Sequence, residues 1–393
     1  MEPVAASSTV FFTGHMVDRP GRVPPRFPPA RAVEIGRRIA GELEALEATD
    51  GFAAATCGGD ILFVEAMLAR GGRIHVTLPC AVGDFRRDCV DLIPGADWAA
   101  RFDRILQQAA SLEVLSQQYA SDNAMARECC SRVMLGLAAR QAALKAEEPV
   151  VLALWDGRPG DAFGGTQSIV EFCIRNGFRV RWMTDLAPGG AAETRDLAAA
   201  ANSSAIRHTT FAAEAPQQIC AAVFADAVGF SKLRERDVPL FSRLYLTAAM
   251  NALQAHMLVP LVKNTWGDGL YFVFESVRDA GLFALDFRDR IVTMDWQRLG
   301  LSAAMSVRVG VHAGPLYRIY DPVIGQWSYT GAHVTRAARL EPSTDPGKVF
   351  ATLAFVALAA AERASEFRCR SAGHRELVKG AGDFELFELT RDQ

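Results

Sequence analysis

The sequence predicts two unlike domains, an α/β domain followed by an α+β domain, on three observations. Up to about residue 185, short β-rich runs alternate with amphipathic helical stretches, the pattern of a parallel sheet covered by helices. Residues 186–218 are rich in Ala, Pro, Gly, Ser and Thr and lose apolar periodicity, which marks a linker. From residue 219 a different order begins: a strand, two helical stretches, and a hairpin centred on Gly267–Gly269. At 393 residues the chain has room for two cores at ~100–200 residues each.

In the first domain (1–185) the pattern predicts strands at 8–12, 53–55, 73–78, 150–154 and 179–183. Helices are expected at 32–47, from about Asp60, at 97–119, 124–145 and 167–175. Two Gly-rich turns, at Gly58–Gly59 and Gly164–Gly165–Thr166, each follow a strand and open a helix. Such turns either let backbone amides approach a phosphate or simply reverse the chain.

Composition excludes several classes. A net charge of −3 gives no general affinity for polyanions, so no nucleic-acid partner is expected. The eight cysteines form no CxxC pair and read as reduced, buried thiols. No basic and then apolar leader opens the chain, and the longest apolar run, 351–361, falls short of the ~20 residues that span a bilayer. A soluble, cytoplasmic protein is expected.

Chemistry concentrates in the second domain (219–393). The run ICAAVFAD carries Asp226 at a strand end and leads through Gly229 and Phe230 into a predicted helix, where free amides would face phosphate oxygens. Asp268 follows 42 residues later, at the tip of the hairpin KNTWGDGLYFVF. Carboxylates on adjacent strands suit a pair of Mg²⁺ ions ~3.5–4 Å apart. On the helix within GAHVTRAARLE, Thr335 and Arg339 are four apart and share a face, offering a hydroxyl and a guanidinium to one substrate. Lys379 precedes a Gly-containing turn near the end.

The ordered set FADxxGFS, GDGLYFVF, RVGVHAG, GxxVxxAARLE, PGKV and KGxGDFELFEL resembles the class III adenylate and guanylate cyclase catalytic domain, over nearly half the chain. The resemblance implies a ferredoxin-like α+β core and conversion of a nucleoside triphosphate to a 3′,5′-cyclic nucleotide with two Mg²⁺ or Mn²⁺ ions. It implies metal ligation by Asp226 and Asp268, a transition-state role for Arg339, and phosphate binding by Lys379. It also implies a head-to-tail homodimer with sites between subunits.

Three positions depart from the pattern. Asn264 stands where adenylate cyclases read the base with lysine, although Lys263 is adjacent; Ser328 stands at the other base-reading position, and Thr335 where an asparagine orients the ribose. With the metal aspartates retained, altered base reading fits better than lost activity. The pattern is similar to that of pyrimidine cyclases making cyclic UMP or cyclic CMP in bacterial antiphage (Pycsar) defence, with ATP as the alternative substrate if Lys263 substitutes. An inactive nucleotide-binding sensor is a further alternative. His312 reads as structural and His333 as a possible substrate contact. Trp266 and Trp327 read as hairpin packing, with base stacking as the alternative. The first domain, with FFTGHM and its two glycine turns, resembles SLOG-type Rossmann-like domains, which sense nucleotide-derived ligands; the resemblance implies a regulatory domain that binds a small molecule or a partner.

Overall fold

The computed structural model describes residues 8–118, 123–158, 164–184, 194–197, 216–378 and 382–391. The chain divides into two compact units, Met1–His208 and Thr209–Gln393.

The first unit runs β1 (Ser8–Gly14), α1 (Ala32–Ala45), β2 (Ala48–Ala53), α2 (Gly59–Ala69), β3 (Arg73–Leu78), α3 (Val82–Phe85), α4 (Trp98–Gln108), β4 (Ser111–Val114), α5 (Ala124–Ala143), β5 (Val150–Leu154), α6 (Thr166–Arg175), β6 (Arg179–Met183) and β7 (Thr194–Leu197). The sheet order is β4-β3-β2-β1-β5-β6-β7, parallel except for β7. Strand β1 lies at the centre, β2 on one side and β5 on the other, so strand order reverses beside it. Its Val10, Phe11 and Phe12 are buried, and Phe12 stacks on Phe63 of α2 at 4.7 Å.

Three expectations fail here. The strand expected at residues 53–55 runs Ala48–Ala53 instead and shares only Ala53 with that expectation. The stretch 97–119, read as one helix, ends at Gln108: Ala109 is already extended (ψ 134°), and the chain enters edge strand β4, where Leu112 pairs with Val76. The stretch read as linker contains β7, held antiparallel on β6. Gly58 is needed for a close approach: its φ is +112° and a Cβ would stand 2.5 Å from the Val17 amide nitrogen. All eight cysteines are free, and no helix of the described residues is long and apolar enough to cross a membrane.

The second unit runs β8 (Gln217–Val228), α7 (Val238–Ala255), β9 (Val262–Trp266), β10 (Gly269–Phe274), α8 (Val277–Val292), β11 (Ser306–Asp321), β12 (Gln326–Thr330), α9 (Ala332–Leu340), β13 (Val349–Thr352), α10 (Leu353–Ala361), β14 (Phe367–Glu376) and β15 (Asp383–Arg391). Its sheet order is β14-β15-β13-β11-β8-β10-β9, with β12 on β11. Alternation along the strands separates two faces. Phe272 and Phe274 pack on Phe283 of α8, while Cys220, Ala222, Phe224 and Tyr271 form the other face with Val334 and Ala337 of α9.

Helix α9 lies against β11 because two glycines remove side chains beneath it. A Cβ on Gly310 would meet the Glu341 backbone nitrogen at 2.8 Å, and one on Gly314 the His333 ring at 2.3 Å. Gly310→Ala should therefore lower the unfolding free energy of this unit by about 1–3 kcal/mol, because the obstacle is backbone that cannot rotate away. Urea unfolding measures this, and an unchanged midpoint would contradict the packing described.

Candidate active site

Asp226 sits two residues inside the end of β8, opposite Gly269 of β10 on one side and Arg308 of β11 on the other. The tight β9–β10 turn, with Gly267 at φ +65°, delivers Asp268 beside it, and the Ala227 amide donates to the Asp268 carbonyl at 3.3 Å. Burial and the neighbouring Asp268 charge push the Asp226 carboxyl up to about 6, against a smaller opposing pull from Arg308. A carboxyl whose proton affinity is raised by a neighbouring carboxylate suits a divalent cation. Among the described residues no three His, Cys, Asp or Glu side chains form a metal-holding group. Two aspartates therefore fit an ion whose remaining ligands come from substrate phosphates and water, as is usual for Mg²⁺.

The sequence reading missed two neighbours. Glu341 follows the last turn of α9, its backbone against Gly310, on the same face as Arg308 and Asp226. Its Oε1 is buried with no hydrogen-bond partner, and the Arg308 Nη1 stands 4.0 Å away. Burial first, then the charges of Asp226 and Asp268, push this carboxyl up to about 7. Only the fold shows what this glutamate faces.

The strand-to-helix expectation at Gly229 needs correction. Strand β8 continues to Val228, Gly229 adopts φ +92°, and Phe230–Lys232 form a 3₁₀ turn rather than the start of an α-helix, which begins at Val238. Phe230 packs on Phe241 of α7 at 5.3 Å. The amides available to a phosphate thus belong to a short turn.

Thr335 and Arg339 lie on α9, Thr335 exposed and Arg339 half-buried. The Thr335 hydroxyl donates to the Gly331 carbonyl at 3.3 Å, which leaves its lone pairs free to accept. The helix is tethered at its start: His312 Nδ1 lies 2.6 Å from Thr352 Oγ1, and its Nε2 2.6 Å from His333 Nδ1. Burial, with Arg336 adding to it, pushes His333 down to about 3 and holds His312 well below its ordinary value, so both rings are neutral. The pair orients α9.

On the β9 edge, Asn264 pairs with Tyr271 and so shares the Asp226 face, whereas Lys263 pairs with Phe272 and lies on the opposite face. The expectation that Lys263 stands in for the base-reading lysine fails on strand alternation. Ser328 pairs with Ile319 and is half-buried on the β11–β12 hairpin. Trp266 folds over Gly269, and Trp327 carries the Arg318 guanidinium at 4.4 Å. Lys379 lies outside the described residues.

The sequence model of the family "Adenylate and Guanylate cyclase catalytic domain" matches residues 212–391. This chain carries an adenylate and guanylate cyclase catalytic domain. A curated relative, the adenylate cyclase of Mycosarcoma maydis, is 26% identical over 148 residues, covering 34% of this chain; the chain spans only 6% of that relative's length. Among solved structures, the adenylyl cyclase CyaB from P. aeruginosa is 16% identical, covers 46% of this chain and 98% of its own, and has a TM-score of 0.40. The guanylate cyclase domain of RhGC from Catenaria anguillulae, solved with GTP, is 18% identical, with 45% and 100% coverage and a TM-score of 0.38.

The acids of the cyclase domain set a pH dependence. Because the folded values of Asp226 and Glu341, about 6 and about 7, exceed their ordinary 3.8 and 4.5, their contribution to stability is present below about pH 4 and is lost as pH rises through 6 to 7. In EDTA the urea midpoint of this unit should fall across that window, Asp226→Asn or Glu341→Gln should flatten the fall, and Mn²⁺ should reverse it above pH 6. A flat profile would contradict the convergence of these carboxyls.

Proposed function

We propose that the protein is a homodimeric nucleotide cyclase that converts a nucleoside triphosphate to a 3′,5′-cyclic nucleotide and pyrophosphate. The observation that carries this reading is the pairing of Asp226 with Asp268 at adjacent strand ends, on the face that α9 covers. These two aspartates would hold Mg²⁺ or Mn²⁺, which when bound supplies activation of the ribose 3′-hydroxyl and neutralisation of phosphate charge.

The chain's own groups do the rest. The 3′-oxygen attacks the α-phosphorus, the bond to the bridging oxygen of the β-phosphate breaks, and pyrophosphate leaves. Arg339 stabilises the charge that builds on the α-phosphoryl oxygens, and Thr335 accepts a hydrogen bond from the ribose. The Gly229 and Phe230 amides and Lys379 take the outer phosphates. Asn264 and Ser328 read the base.

Among the described residues no carboxylate pairs with Arg339, as expected of a group that serves a partner copy's site. In a head-to-tail dimer each site then combines the aspartates of one chain with Arg339 and Thr335 of the other. Base reading favours a pyrimidine, in second-messenger signalling of the antiphage kind. Asn264 replaces a cation with an amide that both donates and accepts, and Lys263 lies on the wrong face to restore the cation. The first unit is read as a Rossmann-like regulatory domain.

Purified protein should form cyclic product from UTP or CTP with Mn²⁺ faster than from ATP or GTP, and Asp226→Ala and Asp268→Ala should each abolish it. Absence of product from all four triphosphates would sink the enzyme reading. Mixing inactive Asp226→Ala and Arg339→Ala chains in equal amounts should restore about a quarter of wild-type activity, since half the dimers would hold one intact site. No recovery in chains that do exchange would exclude shared sites.

A further inference from the structure

An arginine faces Asp226 across the ladder and does not bond to it. Arg308 of β11 is directly opposite Asp226 of β8 in an antiparallel pair. Opposed residues of such a pair put their side chains on one face with Cβ atoms ~4.5–5.5 Å apart, well within the reach of a guanidinium. A fork-to-carboxylate pair is the ordinary outcome of that placement, and it would occupy both Asp226 oxygens. It would close Asp226 to a cation.

Among the described residues Arg308 forms no ion pair with Asp226, and its Nη1 stands 4.0 Å from Glu341 Oε1. Glu341 is held where it can compete for the guanidinium. Gly310 lies two residues along β11 from Arg308 on the same face, and a Cβ there would meet the Glu341 backbone nitrogen at 2.8 Å and its Cα at 3.0 Å. The close approach that Gly310 permits therefore seats Glu341 beside Arg308, independently of any side-chain rotamer. The Glu341 side chain is 12% exposed and its Oε1 has no hydrogen-bond partner, so little water stands between this carboxylate and the guanidinium to weaken their attraction.

Arg308 thus stands between two acids that attract it, Asp226 across the ladder and Glu341 at the end of α9. The place of Glu341 decides how far the guanidinium leans from Asp226. Glu341 does not act by joining the two aspartates as a third ligand, since among the described residues no three such side chains gather closely enough to hold a metal. Its influence on a cation at Asp226 runs through Arg308.

We propose that Glu341 is a positioning residue that draws Arg308 away from Asp226 and so keeps this carboxylate open to a divalent cation. The proposal rests on the reading that Asp226 and Asp268 hold Mg²⁺ or Mn²⁺, and its test carries Asp226→Ala as the control for that reading.

Mn²⁺ binding by the full chain is followed directly, from the electron paramagnetic resonance signal of the unbound ion, without nucleotide and at about pH 8, where these carboxyls are ionised. Glu341→Gln should weaken binding at least about tenfold. That loss has two sources, the missing negative charge and the released arginine, and a double-mutant cycle separates them. In an Arg308→Met background the same substitution should cost no more than about twofold, and Arg308→Met alone should bind Mn²⁺ at least as tightly as the wild-type chain. Near-UV circular dichroism matching the wild type checks that each variant is folded. A Glu341→Gln loss of equal size in both backgrounds, no loss in either, or weaker binding by Arg308→Met overturns the proposal. If Asp226→Ala abolishes binding while Glu341→Gln keeps it, only the proposal falls. If Asp226→Ala binds Mn²⁺ as the wild type does, the metal reading is wrong and the proposal falls with it.

Discussion

Two carboxylates held side by side at the ends of β8 and β10 govern the cyclase domain. The position is imposed by backbone, not by side-chain choice: Asp226 is opposite Gly269 in the ladder, and the two-residue turn before Gly269 leaves Asp268 no other place. Mutual repulsion in a half-buried setting is unfavourable without a cation, and Glu341, its carboxyl pushed up to about 7, adds a third acid whose charge, once ionised, Arg308 at 4.0 Å offsets only in part. The cost is borne by the opposite face, where Phe272, Phe274, Phe283 and Phe287 form a continuous aromatic layer between sheet and α8. A rigid sheet backed in this way keeps the acids together, where a softer one would let them separate.

Helix α9 is the second constraint. It carries groups for two different places: Thr335 and Arg339 on its outer face, and Glu341 just beyond its end, against β11. Gly310 and Gly314 let it sit directly on the strand, and the neutral His312–His333 pair fixes its first turn. Because burial and Arg336 keep those rings uncharged far below neutral pH, the helix does not reorient as physiological pH varies. The pH sensitivity of this site therefore resides in the acids and not in the His312–His333 pair.

Much of this was legible in the sequence because the determinants are local. Strand β3, the α5 and α6 helices, and the Gly267–Gly269 hairpin follow from alternation, helical period and turn chemistry. The failures have physical causes. Edge strand β4 is short and its Leu112 is exposed, so it reads as the tail of α4. The turn at Gly229 looks like a helix start because glycine before an apolar run is ambiguous between a 3₁₀ turn and an α-helix. Glu341 and Arg308 were invisible as site residues because their proximity to Asp226 depends on strand register and on how closely α9 approaches β11. Neither is a property of neighbours in the chain.

Register also decides which side chain β9 presents beside the acids. In a strand, a change of one position moves a side chain to the other face, so adjacency in sequence is the one relation that guarantees separation in space. Lys263 and Asn264 illustrate the point: the cation faces the α8 side with Phe272, and the amide faces the acids with Tyr271. To bring Lys263 to the acids, β9 would have to slide by one residue against β10. That slide would turn Val262 out of the cluster it shares with Val273 and would move Trp266 from its place over Gly269. The hairpin turn, already as tight as it can be, opposes any such shift. The group that β9 presents beside the acids is therefore an amide, with one donor side and one acceptor side, and not a cation.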